Sequence, residues 1–227
     1  MTTTPLDRLR AATRAWHDAL ESTAFATAML SGTLPLDRYV GQLAAYREAL
    51  AALEGELSRA TSPCVTHVWS PDLAKLPFIE RDLKYFRQSG VNPPPQARPA
   101  GRAFAEEIRR TAAADPDALL GFLYVMEGST LGALLLHRYV SEAYRLTVPY
   151  GLAYYGSGDR TRWASFTTRM NEALMNDAWL NDALLNEDTH ARVLAAADRA
   201  YHHTASIAEA LAPPTRATAR TPSSPPA

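Results

Sequence analysis

The chain has 227 residues, with 23 Lys and Arg against 24 Asp and Glu for a formal charge of −1. That balance offers no general field for nucleic acid or an anionic membrane surface, and the length suffices for one domain whose core needs no disulfide or structural metal. One cysteine, Cys64, excludes an intramolecular disulfide. The polar start MTTTPLDRLRAATRAW lacks the apolar segment of a signal peptide. Apolar runs are broken by charge or glycine before the roughly 20 residues of a membrane span, so a cytoplasmic protein without a span is expected.

In chain order, Thr4 and Pro5 read as the N-cap and first residue of a helix carrying Leu9, Thr13, Trp16 and Leu20 at helical spacing. A second helix is expected after Pro35, its stripe of Tyr39, Leu43, Tyr46, Leu50, Leu53 and Leu57 running to about Ser58. ATSPCVTHVWSPDLAKLP is rich in breakers and reads as a loop leading to a helix over Phe78–Gln88, after which VNPPPQARP is a second break. Helical spacing resumes over Arg102–Ala113, and again after Asp115 and Pro116, another cap and first residue. LTVPYGLAYYGSGDR reads as an aromatic, glycine-rich loop ahead of helices over Thr161–Met175 and Glu187–Leu211.

No stretch keeps a period-two alternation. The expected fold is therefore all-α, a single domain of about seven to nine helices. It occupies residues 1–211, and the Pro/Ser/Thr-rich tail over 212–227 cannot bury anything and reads as disordered.

The helix after Pro116 contains YVMEGSTLGALLLHRYV, with Gly128 and Gly132 in its middle. Each interior glycine costs about 1 kcal/mol relative to alanine, so bare backbone is wanted there. The G-x-x-x-G spacing puts both on one face, which serves either close helix packing or a flat, bulky cofactor laid on the backbone, and it also permits a kink. On the first helix, His17 stands beside the apolar stripe with Glu21 one turn later. That carboxylate could brace one ring nitrogen and leave the other for a metal; the plainer reading is a histidine satisfied by a neighbour. The two features join if His17 binds haem iron from one side while the glycine helix covers the other. Arg10 and Arg14, within two turns before His17, would then meet the propionates, and one coordination position would stay open to O2.

LRAATRAWHDALESTAFATAMLSGTLPLDRYVGQLAAYREALAALE resembles the N-terminal region of haem oxygenases. FLYVMEGSTLG resembles the distal helix of their bacterial branch, including members associated with bacteriophytochromes. LPFIERDLKYF and YYGSGDRTRWASFTTRMNEAL resemble segments at matching places, and the likeness runs from about Leu6 to Ala210. The resemblance implies His17 as axial iron ligand, Glu21 as its carboxylate partner, and Gly128, Ser129 and Gly132 on the distal face. Ser129 stands where the animal enzymes have an aspartate that organises distal water. The family's distal helix usually has two consecutive glycines where this chain has Gly132 and Ala133, a methyl group that would crowd bound oxygen, tilt the haem or point aside.

Such an enzyme uses haem as both cofactor and substrate and opens it to biliverdin, carbon monoxide and ferrous iron. There is no G-x-G-x-x-G after a strand, no P-loop and no cysteine cluster, so electrons are expected from an external ferredoxin, flavodoxin or reductase. A bilin-accepting photoreceptor is a partner the branch implies. Two other readings stand beside this one. The first is a haem- or bilin-binding protein without turnover, which Ala133 keeps open. The second is a di-iron oxidase, which needs two Glu-x-x-His pairs where the chain offers one, Glu187 and His190. His137 lies too far along its helix from Gly128 to bind iron, and Cys64, in its breaker-rich loop, is not placed as a core nucleophile.

Overall fold

Several helices in this chain begin where hydroxyls, carboxylates and prolines place them. The computed structural model describes residues 4–175 and 183–214, with side chains from 188 onward in the second segment. Helix α1 spans Pro5–Glu21 behind a capping box: the Thr4 hydroxyl accepts from Asp7 N at 3.2 Å, and the Asp7 carboxylate accepts from Thr4 N at 3.1 Å. Helix α2, Ala24–Leu30, starts at Thr23, whose hydroxyl accepts from Ala26 N at 3.2 Å, and α3 covers Leu36–Arg59.

The breaker-rich stretch is not the loop its composition suggests. It holds α4, Pro63–Val68, and a 3-10 turn, Pro71–Leu73. Both prolines occupy the first turn, where a missing N–H costs nothing, so residues that break helices elsewhere start them here. Helices α5, Leu76–Gln88, and α6, Ala97–Ala114, begin earlier than their apolar spacing shows. A 3-10 turn, Pro116–Ala118, capped by Asp115, leads into α7, Leu119–Tyr144; α8 is Arg160–Met175 and α9 is Ala183–Ala210. The described residues thus form nine α-helices and no β-strand. The tail from residue 215 lies outside them.

Helix α3 packs on α5 and α6, while α9 lies against α7, α6 and α1. Helix α7 is the centre, buried without interruption from Leu119 to Glu127. Contrary to the composition-based expectation, Pro116–Tyr144 is long and apolar enough to cross a membrane, with mean hydropathy 1.7; 61% of that window is buried inside the fold, as befits a core helix. Its contact with α9 depends on Gly121, where a Cβ would overlap the Val193 carbonyl and come within 2.7 Å of Ala197 N.

A charge cluster sits in this apolar setting. Glu127 of α7 and Lys75, each 2% exposed, form an ion pair at 2.6 Å, and Arg162 Nε lies 3.1 Å from the other Glu127 oxygen. Burial lowers the Lys75 pKa, and the Glu127 carboxylate opposes that shift. The middle of the aromatic loop after α7, residues 151–155, is likewise internal. Leu152, Ala153, Tyr154 and Tyr155 are buried, and the Asp82 carboxylate of α5 accepts from Ala153 N and Tyr154 N at 2.8 Å each. Tyr39 donates to Gly151 O at 2.8 Å, and Tyr155 donates to Gln42 Oε1 at 2.6 Å. Burial pushes the Asp82 carboxyl up to about 6, against the pull of its backbone donors.

Candidate active site

Helix α1 turns Leu6, Leu9 and Thr13 into the protein and rests on α8 and α9. It is pinned near both ends: Leu6 N donates to Asn171 Oδ1 of α8 at 3.1 Å, and Trp16 Nε1 donates to Asp198 Oδ1 of α9 at 2.5 Å. Arg10, Arg14, His17 and Glu21 are exposed, and their three- and four-residue spacings make them one stripe along the outer side. The His17 side chain is 58% exposed, which sets aside the satisfied, partly buried histidine. Its Nδ1 lies 3.7 Å from Glu21 Oε1 and 4.0 Å from Asp18 Oδ1. Carboxylates beside Nδ1 orient an imidazole and leave Nε2 to serve as a metal ligand.

Burial raises the pKa of the Tyr124 phenol on α7, and Thr13 and Arg10 of α1 oppose that shift. His17 lies about one turn past Thr13 along α1, and Gly128 and Gly132 lie about one and two turns past Tyr124 along α7. A Cβ on Gly128 would touch the Trp163 ring at 3.5 Å, an ordinary contact. At Gly132 a Cβ would meet nothing within 4 Å. Gly128 thus faces Trp163 of α8, whereas Gly132 packs against no neighbouring helix; Gly121 fills that packing role in the same helix. Leu135, 73% exposed, continues the open face one turn past Gly132 and keeps it apolar.

Ser129 is half-buried beside this face. Its Oγ donates to Met126 O at 2.8 Å and lies 3.3 Å from the Tyr154 hydroxyl. Ala133 is buried in the core, so protein already covers its methyl group. His137 is half-buried against the aromatic loop, its Cδ2 3.7 Å from where a Cβ on Gly156 would stand. Cys64 is buried in α4, and burial pushes its thiol up to about 11. The Glu187 side chain, and with it the Glu187–His190 pair, lies outside the described residues. A separate cleft of about 460 Å3 between α6 and α9 is lined by Glu107, Arg110, Asp115, Arg192 and Arg199. Those charges pair with one another, and the cleft holds none of the residues singled out above.

A family model for heme oxygenase matches residues 4–209. The chain belongs to the haem oxygenase family. Heme oxygenase 1 of Nostoc sp. is 25% identical over 170 residues, covering 74% of this chain and 71% of the relative. Heme oxygenase 1 of Synechocystis sp. is 24% identical over 169 residues, covering 74% and 70%. Among solved structures, heme oxygenase-1 of Synechocystis in complex with heme superposes with a TM-score of 0.76 at 22% identity, covering 92% of each chain. The heme oxygenase of Leptospira interrogans gives 0.73 at 21%, covering 91% of this chain and 99% of that one. At these identities the structures speak to the fold, and all of them share its helical architecture.

Sequence reasoning missed the polar layer behind the glycine helix of this haem oxygenase. Lys75 and Arg162 flank Glu127, and Tyr154 meets Ser129, across chain separations that periodicity does not register. The one available signal was Glu127 itself, a carboxylate inside an otherwise apolar run.

Proposed function

We propose that this chain binds haem between the outer stripe of α1 and the bare face of α7 and opens the ring to biliverdin, carbon monoxide and ferrous iron. The observation that carries the reading is Gly132. A flat macrocycle needs a helix face without side chains, and Gly132 supplies one with nothing within 4 Å of a Cβ, extended by exposed Leu135. The other residues fit the same ligand. His17 would be the axial ligand, with Glu21 and Asp18 beside its Nδ1. Arg10 and Arg14, exposed on the same stripe, suit the propionate carboxylates.

Bound haem supplies the centre for oxygen activation and is itself the substrate. The chain holds the group in one orientation, keeps an apolar surface over it, and provides Ser129 as a hydroxyl at the edge of that surface. Electrons come from a separate ferredoxin, flavodoxin or reductase. FLYVMEGSTLG supports placement in the bacteriophytochrome-associated branch, with a bilin-accepting photoreceptor as consumer of the product and the cytoplasm as the location. Turnover is favoured over mere binding because Ala133, the residue that kept the non-catalytic reading open, has its methyl group in the core.

The test is the visible spectrum of haemin-loaded protein followed in air with an electron donor, and with catalase to remove free peroxide. Loss of the haem band with growth of a biliverdin band is expected. His17→Ala should abolish the axial-ligand spectrum at little cost in stability, since the side chain is exposed. A haem band that persists under these conditions would reduce the protein to a haem carrier, and an unchanged His17→Ala spectrum would move the ligand elsewhere.

A further inference from the structure

We propose that Tyr154 is a positioning residue for proton delivery: its buried phenol donates to Ser129 Oγ and so makes Ser129 a fixed acceptor for a water on the open face of α7. The inference rests on the haem reading above and adds a residue to its machinery.

Counting protons gives the direction of each bond. A serine hydroxyl has one hydrogen and two lone pairs. Ser129 directs its hydrogen to Met126 O at 2.8 Å. Its second contact, 3.3 Å from the Tyr154 oxygen, then has only the phenol proton to use. Tyr154 is 2% exposed, and a buried donor left unmatched is costly, so the chain runs from Tyr154 to Ser129 to the Met126 carbonyl. One lone pair of Ser129 Oγ is left over, on a side chain that is only half-buried. A water held by that lone pair gives up one hydrogen to Ser129 and has its second free to turn toward whatever lies on the glycine face. Unaided, the hydroxyl could rotate and act as a donor instead.

The surroundings fix the phenol. The Asp82 carboxylate accepts from Tyr154 N at 2.8 Å, and the ring meets Tyr46 edge-on at 6.1 Å and Tyr155 at 5.9 Å. Burial above all, then the neighbouring Tyr46 phenol and the Glu127 and Glu54 carboxylates, holds its pKa far above the ordinary value against the pull of Ser129, so the proton stays in place. Phenylalanine would fill the same space and donate nothing. The aromatic loop, with Asp82 behind it, is thus a mount for one hydroxyl.

The experiment compares wild type, Tyr154→Phe, Ser129→Ala and the double variant, each loaded with haem, reduced and exposed to carbon monoxide. The infrared C–O stretch reads the polarity of the distal side, and urea unfolding of each apo protein reads stability separately. Both single variants should shift the stretch, and the double variant should match Ser129→Ala, because Tyr154 acts through Ser129. An unshifted stretch in Tyr154→Phe, or an equal further shift in the Ser129→Ala background, overturns the proposal; a lower urea midpoint with an unchanged stretch would mark Tyr154 as structural only. A wild type that takes up no haem overturns the underlying reading, and this inference with it.

Discussion

Gly132→Ala should make the apo protein more stable and the haem complex weaker. An added Cβ meets nothing within 4 Å, so it has no steric cost in the apo fold. Replacing an interior helix glycine gains about 1 kcal/mol of propensity, which in a chain of this size raises Tm by roughly 2–4 °C. Against a macrocycle at van der Waals distance the same methyl group is an overpacking change of about 1–3 kcal/mol, a loss of roughly 5- to 150-fold in haem affinity. Gly121→Ala is the control on the same helix. There the Cβ runs into the Val193 carbonyl and Ala197 N, so stability should fall by about 1–3 kcal/mol despite the propensity gain. Circular dichroism melts of the apo proteins and haemin titrations by absorbance measure both quantities. A destabilised Gly132→Ala would show that the face is packed in solution; a stabilised variant with unchanged affinity would show that the cofactor does not lie there.

Glu127→Gln should cost about 3–5 kcal/mol in urea unfolding, since it leaves Lys75 and Arg162 in the interior without their anion. Burial raises the Asp82 carboxyl from 3.8 to about 6. The native state then holds a proton that the unfolded chain has released between those values, so this group's contribution is present below pH 3.8 and is lost as pH rises through 6. Asp82→Asn cannot titrate, so its stability deficit relative to wild type should shrink by about 2 kcal/mol between pH 4 and 7; a deficit that is flat or grows would contradict the raised value. Ala133→Gly should lower stability by about 1–2 kcal/mol through lost propensity and burial while leaving the ring-opened isomer unchanged, as product chromatography would reveal.

The architecture was legible to the extent that local chemistry dictates it. Thr4, Pro5 and Asp7 start α1 as their types predict, and the outer stripe of that helix follows from the spacing of its residues. The short helices α2 and α4 escaped notice because a proline or threonine that opens a helix looks, in one dimension, like one that ends it. Gly128 and Gly132 showed that bare backbone was wanted, but G-x-x-x-G is the same string whether it faces a neighbouring helix or open space. Only the fold distinguishes the packing role of Gly121 from the open face at Gly132. Lys75, Arg162 and Tyr154 converge on α7 from three other parts of the chain, and no period or motif encodes that meeting.

The mounting of α1 also orders the birth of the site in time. The helix that carries His17 is made before its anchors: Asn171 and Asp198 follow their partners by 165 and 182 residues. At roughly 5–20 residues per second, α1 waits about 10–40 s on the ribosome for the helix that receives it. Docking of α1 is therefore a late step of folding, and a chain stopped before α9 would have α7 but lack part of the seat for α1. The outer stripe of α1 is thus held in place only once α8 and α9 have been made and have met it.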